Sequence, residues 1–427
     1  MAKKTTTKAA EKPLGYVSLF SGGMGLDIGL EKQGFLASAC CENDPACLAT
    51  IRHNRPKMPV IGDCITKVTK ATLEAAAGRT LDNIPLVAGG PPCQAFSVYG
   101  NRMGTDDERG QLVHEFIRVV SELRPQTFLL ENVRGLHSMS IVPKSARAKN
   151  KSIEKEKTEP GSLLRWIIKA FEGIGYRVDC FLVNSVNYGA PQIRERLICI
   201  GNRHNLNAVF RDPEYSNRPD DGLPPFTTLG QVIGEGFADP DRECMDFSPR
   251  KLKYLSMIPA GGNWRSLPVE IQKESMGKAW YLKGGRSAYW RKLSFEYPSP
   301  TVVTMPNHAG TSMCHPTELR ALTVGECAAI QEFPPEWQFM GKTPDKYRQI
   351  GNAVPVRLAS VAGEAIRDIL RRAAENVRPK SSTTMSASAI HHLRPHVRTR
   401  TFWKNGEAFA GDHDYYEHSG EVQATLF

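Results

Sequence analysis

Roughly the first 200 residues of the chain alternate short apolar runs with longer amphipathic stretches. Seven of the apolar runs have the length and composition of buried β-strands. In chain order they read YVSLF, ASACC, PVIGD, PLVAGG, TFLLEN, DCFLVN and RLICIG. Two stretches between them, GQLVHEFIRVVSEL and GSLLRWIIKAFEGIG, carry apolar residues at helical spacing. This alternation predicts an α/β fold built on a doubly wound, mostly parallel sheet.

The pattern changes after residue 203, where Pro, Gly, Trp and Arg become frequent and helical periodicity is lost until about residue 316. We predict that a second, smaller and irregular domain begins here. Neither end of the chain has a core pattern, so both ends are expected to be flexible. The predicted division is a flexible basic arm over 1–14, a main domain over 15–203 completed by 345–376, a second domain over 204–344, and a largely flexible tail over 377–427.

The charge of the chain favours a polyanionic partner. Its 55 Lys and Arg exceed its 45 Asp and Glu, for a net charge of +10, and such an excess suits nucleic acid. Residues 144–157 hold six basic and two acidic side chains, which is equally consistent with a solvated loop. Residues 250–292 hold ten basic and two acidic side chains interleaved with Tyr and Trp. Such a mixture suits phosphates and bases together.

Several classes of protein are disfavoured by the same sequence. No run of about 18 apolar residues predicts a membrane span, and the basic N-terminus lacks the apolar core of a secretory signal. The ten cysteines show neither the spacing of a disulfide framework nor a C-x-x-C pair. We therefore expect a protein of a reducing, cytoplasmic compartment that needs no metal.

Three successive predicted strands end in residues that suit a nucleotide-like ligand. The first ends in the glycine-rich LFSGGMGLDIG, the second in Glu42 and the third in Asp63. Glycines allow close backbone approach to a ligand, and an acid roughly 20 residues further on can hold ribose hydroxyls. Because ligands of such sheets bind at the carboxyl ends of strands, we predict an adenosine-containing cofactor here. The chain has no P-loop motif.

Reactive side chains follow the next two strands. Cys93 stands in the stiff loop GGPPCQ after the fourth strand, and Glu131 follows the fifth in LLENV. A thiolate beside a carboxylic acid can add to an electron-poor ring while the acid assists a ring nitrogen. Arg194 and Arg196 occupy alternate positions of QIRER, so we place both on one face of a strand. There they could bind phosphate or lower the pKa of the thiol.

Taken together, these motifs resemble those of the bacterial DNA (cytosine-5) methyltransferases. GGPPCQAFS, LLENV, QIRER, LTVGECAAIQEFP and QIGNAVP occur in the usual order of that family, and the resemblance covers roughly 15–203 and 316–366. It implies that 15–203 is the catalytic and cofactor-binding domain and that 204–344 is the target-recognition domain. It also implies S-adenosylmethionine as the methyl donor. The implied cofactor contacts are Phe20, Gly22 and Gly23 in the first loop, Glu42 at the ribose, Asp63 at the adenine, and Asn352 and Val354 from the end of the chain.

The sequence departs from the family pattern at two loop positions and in one insertion. The first loop usually reads F-x-G-x-G, but Met24 takes the second glycine position; we expect the turn to survive because Gly23 and Gly25 flank it. Ala95 follows PPCQ where Gly is frequent. Residues 140–160 look like an insertion after the glutamate motif.

The resemblance implies that carbon 5 of cytosine is methylated in specific duplex DNA. Cys93 would add to carbon 6 with help from Glu131 at nitrogen 3, and the base would be flipped out of the stack into the pocket. Arg265, Arg286 and Arg291 are candidates for contacts with bases or phosphates; the alternative is that some of them only brace the second domain. A functional partner restriction endonuclease and a site of action at the nucleoid are further expectations.

Three other functions were weighed against this one. A transfer-RNA methyltransferase of the same family could use the same site, although relatives of that kind tend to have a smaller second domain. A thiol hydrolase would need a histidine partner, and none of the eleven histidines lies in a motif position. A non-catalytic DNA-binding module is disfavoured because Cys93, Glu131, Arg194 and Arg196 are all present.

Overall fold

A large, mostly parallel sheet forms the centre of the protein. The structure, a computed structural model, describes residues 13–92, 111–142, 154–281, 288–375 and 388–394, together with the backbone of 402–404 and 407–409. The strands of the large sheet are β1 (Leu14–Leu19), β2 (Phe35–Cys41), β3 (Val60–Ile61), β4 (Leu86–Gly89), β5 (Thr127–Val133), β6 (Arg177–Asn184), β8 (Glu195–Asn202) and β10 (Ala389–Leu393). Two small pairs are formed by β7 (Gln192–Ile193) with β9 (Ser299–Pro300), and by β11 (Phe402–Lys404) with β12 (Glu407–Phe409).

The strand order confirms the predicted fold class. The order is β10-β6-β8-β5-β4-β1-β2-β3, and only β8 runs antiparallel to its neighbours. All seven strands predicted from the apolar runs are present. The chain order reverses between β1 and β4, which is where doubly wound sheets bind their ligands. At this point a Cβ on Gly89 would lie 2.5 Å from the carbonyl oxygen of Leu19, so only glycine allows the two strands to approach this closely.

Helices cover both faces of the sheet, and the sheet separates two hydrophobic cores. The helices that contribute to these cores are α1 (Gly25–Glu31), α2 (Pro45–Asn54), α3 (Lys70–Ala77), α4 (Gln111–Leu123) and α5 (Ser162–Gly173), with α9 (Val324–Ile330), α10 (Thr343–Asn352) and α11 (Val356–Ala374) from later in the chain. The helix α1 packs closely on α11, because a Cβ on Gly29 would lie 2.4 Å from the Cβ of Ala359. The helix α11 therefore belongs to the same hydrophobic core as α1.

The segment between β8 and α9 has little regular structure and its own small core. Its helices are the short α6 (Gly230–Ile233), α7 (Pro249–Ser256) and α8 (Val269–Met276). A separate hydrophobic cluster is centred on residues such as Tyr254, Trp264 and Trp290. Aromatic side chains such as these and aliphatic ones such as Leu255 and Ile258 together form this small core.

Three strands lie in the region for which the sequence predicts a largely flexible tail, and one of them, β10, joins the large sheet. Residues Ala389–Leu393 extend the sheet as β10, parallel to β6. The hydroxyl of Ser388 accepts a hydrogen bond from the Val178 amide at 3.1 Å, and Arg394 forms an ion pair with Asp221 at 2.6 Å. A single strand added to an existing edge needs backbone partners and no core pattern of its own. For that reason the hydrophobic pattern of the tail does not reveal it.

Candidate active site

The carboxylate of Glu42 holds the loop that follows β1. One of its oxygens accepts a hydrogen bond from the Gly22 amide at 2.7 Å, and the other accepts from the amides of Asn43 and Asp44 at 2.8 Å each. The side chain is nearly buried. A carboxylate offers about four acceptor positions, so these bonds leave about one for a hydroxyl group of a ligand. Glu42 thus both shapes the loop and remains able to bind a ribose.

The turn of this loop survives although Met24 stands at the position where the family has glycine. Phe20, Gly22 and Met24 all have left-handed backbone conformations, with φ of 57°, 54° and 68°. A non-glycine residue pays about 1–2 kcal/mol for this conformation. The Met24 side chain is fully buried, and the apolar surface it removes from water offsets that cost.

Asp63 follows β3 and is ionised. One of its carboxylate oxygens accepts from the Cys64 amide at 2.7 Å and lies 3.1 Å from the Lys67 ammonium. The Cys64 hydrogen bond, and after it the contact with Lys67, hold the pKa of Asp63 below its usual range. The side chain is half exposed. It can therefore accept a hydrogen bond from a group such as an adenine amine.

The segment after α10 returns to the same loop. A Cβ on Gly23 would lie 3.5 Å from the Cβ of Gln349, and one on Gly25 would lie 2.5 Å from the carbonyl oxygen of Val354. Val354 is buried, whereas Asn352 is exposed. The glycine-rich loop and the returning segment are therefore in contact, and the residues proposed from both of them for the cofactor lie in one region. Two carboxylates and a closely approached backbone suit the hydroxyl and amino groups of an adenosine.

Arg194 is fully buried and binds the backbone of that same returning segment. Its guanidinium donates to the carbonyl oxygens of Val302 at 3.0 Å and of Gly351 and Ala353 at 2.8 Å each. Burial lowers the pKa of this guanidinium, and the neighbouring Arg196 lowers it further. Three of its donors are thus occupied by protein carbonyls. Arg194 therefore holds together the backbone segments that surround the site.

Two buried glutamines extend this network. Gln192 donates to the Gln331 side chain at 2.6 Å and accepts from the Val302 amide at 3.2 Å. Gln331 in turn donates to the carbonyl oxygens of Ile350 at 2.6 Å and Ala353 at 3.2 Å. Neither glutamine was proposed from the sequence, although both lie within motifs quoted for the resemblance. Their side chains bond to backbone groups and to each other, so their spacing in the sequence does not distinguish them from surface residues.

Glu131 and Arg196 form a buried ion pair at the carboxyl end of β5. The Arg196 Nε lies 2.6 Å from a carboxylate oxygen of Glu131, and each side chain is 11% exposed. Arg196 pairs with Val133 across β5 and β8, which places it diagonally opposite Glu131 on one face of the sheet. The other carboxylate oxygen of Glu131 lies 2.9 Å from where a Cβ on Gly90 would be. A larger residue than glycine at position 90 would therefore displace Glu131.

The loop leading to Cys93 is fixed next to this pair. The buried Asn132 side chain donates to the carbonyl oxygen of Pro91 at 2.9 Å, and its own oxygen accepts from the Val133 amide at 2.9 Å. The chain is described as far as Pro92, and Cys93 itself lies outside the described residues. The adjacent Asn132 was not proposed from the sequence, yet it holds the backbone two residues before the proposed nucleophile.

Comparison with known proteins identifies the family. The family model of C-5 cytosine-specific DNA methylases matches residues 14–368. The chain belongs to this family. The family and its fold imply S-adenosylmethionine as the methyl donor and DNA as the substrate.

Curated relatives support the same assignment within these methylases. The chain is 38% identical to the Type II methyltransferase M.PspPI of Psychrobacter sp. (strain TA137), over 84% of this chain and 80% of that one. It is 36% identical to the Type II methyltransferase M.Eco47II of Escherichia coli, over 85% of this chain and 81% of that one.

Solved structures confirm the fold alone. The product of an E. coli prophage gene described as a DNA modification methyltransferase superposes with a TM-score of 0.56 at 23% identity, covering 84% of this chain and 99% of that one. The methyltransferase EhMeth of Entamoeba histolytica superposes with a TM-score of 0.55 at 14% identity, again over 84% and 99%.

In this methylase most aromatic residues of the basic stretch 250–292 serve the core of the second unit. Tyr254, Trp264 and Trp290 are buried there, whereas Tyr281 is 72% exposed. The pattern that suggested base contacts therefore mostly reflects packing.

The three arginines proposed for DNA contacts differ in what the structure shows. Arg265 stacks on the Trp264 ring, with 4.6 Å from its guanidinium carbon to the ring centroid. The Nε of Arg291 donates to the Ser312 carbonyl oxygen at 3.1 Å, which helps to brace the unit. Arg286 lies outside the described residues. Among the helices that the structure describes, none is long and apolar enough to cross a bilayer.

Proposed function

We propose that the protein methylates carbon 5 of one cytosine within a specific duplex DNA sequence, through a covalent bond between Cys93 and carbon 6 of a flipped-out base. The observation that carries this proposal is the buried ion pair of Glu131 and Arg196 beside Gly90 and Pro91. It supports a ring-binding pocket at the point where the chain enters the Cys93 loop. The cofactor loop follows β1, the strand next to β4.

The proposed reaction uses few groups of the protein. The thiolate of Cys93 adds to carbon 6 while Glu131 assists at ring nitrogen 3, which gives carbon 5 the electron density of an enamine carbon. Bound S-adenosylmethionine supplies the electrophilic methyl group that this carbon attacks. A general base then takes the carbon-5 proton, and the electrons of the broken C–H bond expel the Cys93 thiolate from carbon 6, which gives 5-methylcytosine. Arg196 orients the Glu131 carboxyl, and Arg194 holds the surrounding backbone.

The remaining assignments are part of the same proposal. Residues 15–203 with 345–376 carry catalysis and cofactor binding, and 204–344 recognise the target. We propose that DNA is contacted by Arg265, Arg286 and Arg291. The residues proposed to contact the cofactor are Phe20, Gly22, Gly23, Glu42, Asp63, Asn352 and Val354. We also infer a cytoplasmic enzyme that acts on nucleoid DNA and protects it from a partner restriction endonuclease, because the curated relatives are Type II methyltransferases. The transfer-RNA alternative is less well supported for the same reason.

Methyl transfer from labelled S-adenosylmethionine tests the proposal, with duplex DNA and transfer RNA as parallel substrates. We expect label in DNA only, and bisulfite sequencing of a plasmid from expressing cells should locate it at one recurring sequence. Glu131→Gln should lower the rate by about 10²–10⁴-fold, because an amide cannot supply a proton, and should leave cofactor affinity near that of the wild type. Label in transfer RNA alone, or a fully active Glu131→Gln enzyme, would contradict the proposal.

A further inference from the structure

The side chain of Gln349 on α10 carries a hydrogen-bond acceptor that the described part of the chain does not use. Gln349 is 2% exposed, and its amide nitrogen donates to the carbonyl oxygen of Met340 at 2.8 Å. Its amide oxygen has no hydrogen-bond partner among the described residues. The opposite orientation of the amide would set two carbonyl oxygens against each other. The bond to Met340 therefore fixes which of the two amide atoms is unpaired.

An unpaired acceptor in the interior indicates a ligand. Buried polar groups are nearly always hydrogen-bonded, because burial costs an unsatisfied group its bonds to water. The bond to Met340 accounts for the amide nitrogen of Gln349 and leaves the oxygen unexplained. Such an oxygen suits a hydrogen-bond donor that a bound molecule supplies.

Gln349 lies next to the loop that follows β1. A Cβ on Gly23 would lie 3.5 Å from the Cβ of Gln349 and 3.3 Å from the Phe339 ring, so glycine allows the loop to come this close. Asn352 lies one turn further along α10, and residues three apart share a face of a helix. Gln349 thus neighbours two of the residues proposed to contact the cofactor.

The order of the strands indicates which part of the cofactor reaches this place. Asp63 follows β3 and Glu42 follows β2, and the neighbouring strands of the sheet are β1 and then β4. With the adenine at Asp63 and the ribose at Glu42, the cofactor extends across the strand ends towards β1. The part that follows the ribose is the methionine end. This end therefore reaches the loop beside Gln349.

The methionine end of S-adenosylmethionine carries an α-ammonium group and an α-carboxylate. The ammonium only donates hydrogen bonds, and the carboxylate only accepts them. The amide oxygen of Gln349 is an acceptor for the ammonium. The backbone amide of Gly23 forms no hydrogen bond among the described residues and is a donor for the carboxylate. Two neighbouring unpaired groups thus match the two charged groups of an α-amino acid.

The ligand reaches this acceptor only after a movement of the protein, since the Gln349 oxygen is shielded from solvent. The loop is held at Gly22 by Glu42 at 2.7 Å, whereas the Gly23 amide has no such bond. Glycine adopts new backbone conformations at little steric cost. We therefore expect cofactor binding to be coupled to a shift of the loop at Gly23.

We infer that Gln349 is a binding residue for S-adenosylmethionine, and that its amide oxygen accepts a hydrogen bond from the α-ammonium group of the cofactor. The inference rests on the proposed function, which places this cofactor at the loop after β1. A hydrogen bond from a charged donor contributes about 10–100-fold to affinity. The affinity of the protein should therefore depend on the amino group of the ligand.

Calorimetric titration of the full-length protein at pH 7.5 with two ligands tests the inference. S-adenosylhomocysteine keeps the α-ammonium group, and its desamino analogue carries hydrogen in that place. The wild type should bind S-adenosylhomocysteine about 10–100-fold more tightly than the analogue. Gln349→Met removes the amide oxygen and keeps the length of the side chain. This variant should bind S-adenosylhomocysteine about 10–100-fold more weakly and keep the wild-type Kd for the analogue.

Two further variants separate binding from a structural role. Gln331→Met is the matched control, because Gln331 is a buried glutamine whose amide nitrogen donates to the carbonyl oxygens of Ile350 and Ala353. Its amide oxygen accepts from Gln192 at 2.6 Å, so neither amide atom is unpaired. This control should lower the thermal midpoint and keep the preference for S-adenosylhomocysteine. Gln349→Glu retains an acceptor and should keep or increase the preference, since a carboxylate pairs with an ammonium.

The possible outcomes distinguish the two claims. If the wild type binds neither S-adenosylmethionine nor S-adenosylhomocysteine, the proposed function fails. If the wild type binds both test ligands equally well, or if Gln349→Met weakens both by the same factor, only the role of Gln349 is overturned. Should Gln349→Met fail to fold, Gln349→Glu decides: a kept or increased preference supports the inference, and a lost preference overturns it.

Discussion

Several buried residues of this protein hold in place the backbone segments that carry the proposed site residues. Arg194 donates to three carbonyl oxygens, Asn132 holds the Pro91 carbonyl, and Glu42 accepts from three amides. Each of these bonds is made inside or at the edge of the core, where an unpaired partner would cost about 1–3 kcal/mol. The proposed active site is therefore preorganised before any ligand arrives.

Met24 allows a direct test of backbone strain at this scale. Met24→Ala should lower the free energy of unfolding by about 2–5 kcal/mol, because it removes a buried side chain. Met24→Gly removes the same side chain but also the left-handed strain, so it should be more stable than the alanine variant by about 1 kcal/mol. Chemical denaturation of both variants measures this. An alanine variant at least as stable as the glycine variant would show that φ at this position is not strained.

The arginines of QIRER show how far sequence can lead at the residue scale. Alternate spacing predicts that Arg194 and Arg196 share a face and a role. In the structure the strand is interrupted at Arg194, so that Arg194 turns to the carbonyls of Val302, Gly351 and Ala353 while Arg196 pairs with Glu131. The difference depends on segments more than a hundred residues away in the chain, which local periodicity does not contain.

At the scale of elements, strand ends were predictable and additions to the sheet edge were not. Apolar runs mark β1 to β6 and β8 because their apolar side chains are buried or, in β3, partly buried, and the polar residues after them follow from the topology. The strand β10 is only partly buried and owes its order to β6. Its absence from the sequence-based prediction follows from this dependence on a neighbouring edge.

Truncation measures what β10 contributes. A chain ending at residue 376 lacks β10 and exposes the edge of β6. Its thermal midpoint should fall, because the lost backbone hydrogen bonds lower the free energy of unfolding by about 2–4 kcal/mol. A chain ending at Arg394 keeps the strand and its ion pair with Asp221 and is the matched control. Both should bind S-adenosylmethionine like the full chain. Equal thermal midpoints for the two truncated proteins would show that β10 adds no stability.

At the scale of the whole molecule, catalysis and target choice are assigned to different parts of the chain. The motifs shared with the family lie in and around the large sheet, whereas part of the segment between them, within 247–321, forms a separate hydrophobic cluster. Replacing residues 204–316 with the corresponding region of a related methylase should therefore transfer the target sequence of the donor. Bisulfite sequencing of DNA modified by the chimaera gives the result. An active chimaera that still methylates the original sequence would place recognition elsewhere, with the 140–160 insertion as the next region to test.

Covalent trapping tests the central claim most directly, namely that Cys93 bonds to the cytosine during methyl transfer. The enzyme is mixed with S-adenosylmethionine and duplex DNA that carries 5-fluorocytosine at the target, and the products are separated under denaturing conditions. Fluorine blocks the final proton loss, so the wild type should form a stable protein–DNA adduct at Cys93, identified by mass spectrometry of the linked peptide. Cys93→Ser should bind the same DNA but form no adduct and transfer no methyl group. Turnover by Cys93→Ser, or an active wild type that forms no adduct, would contradict the account.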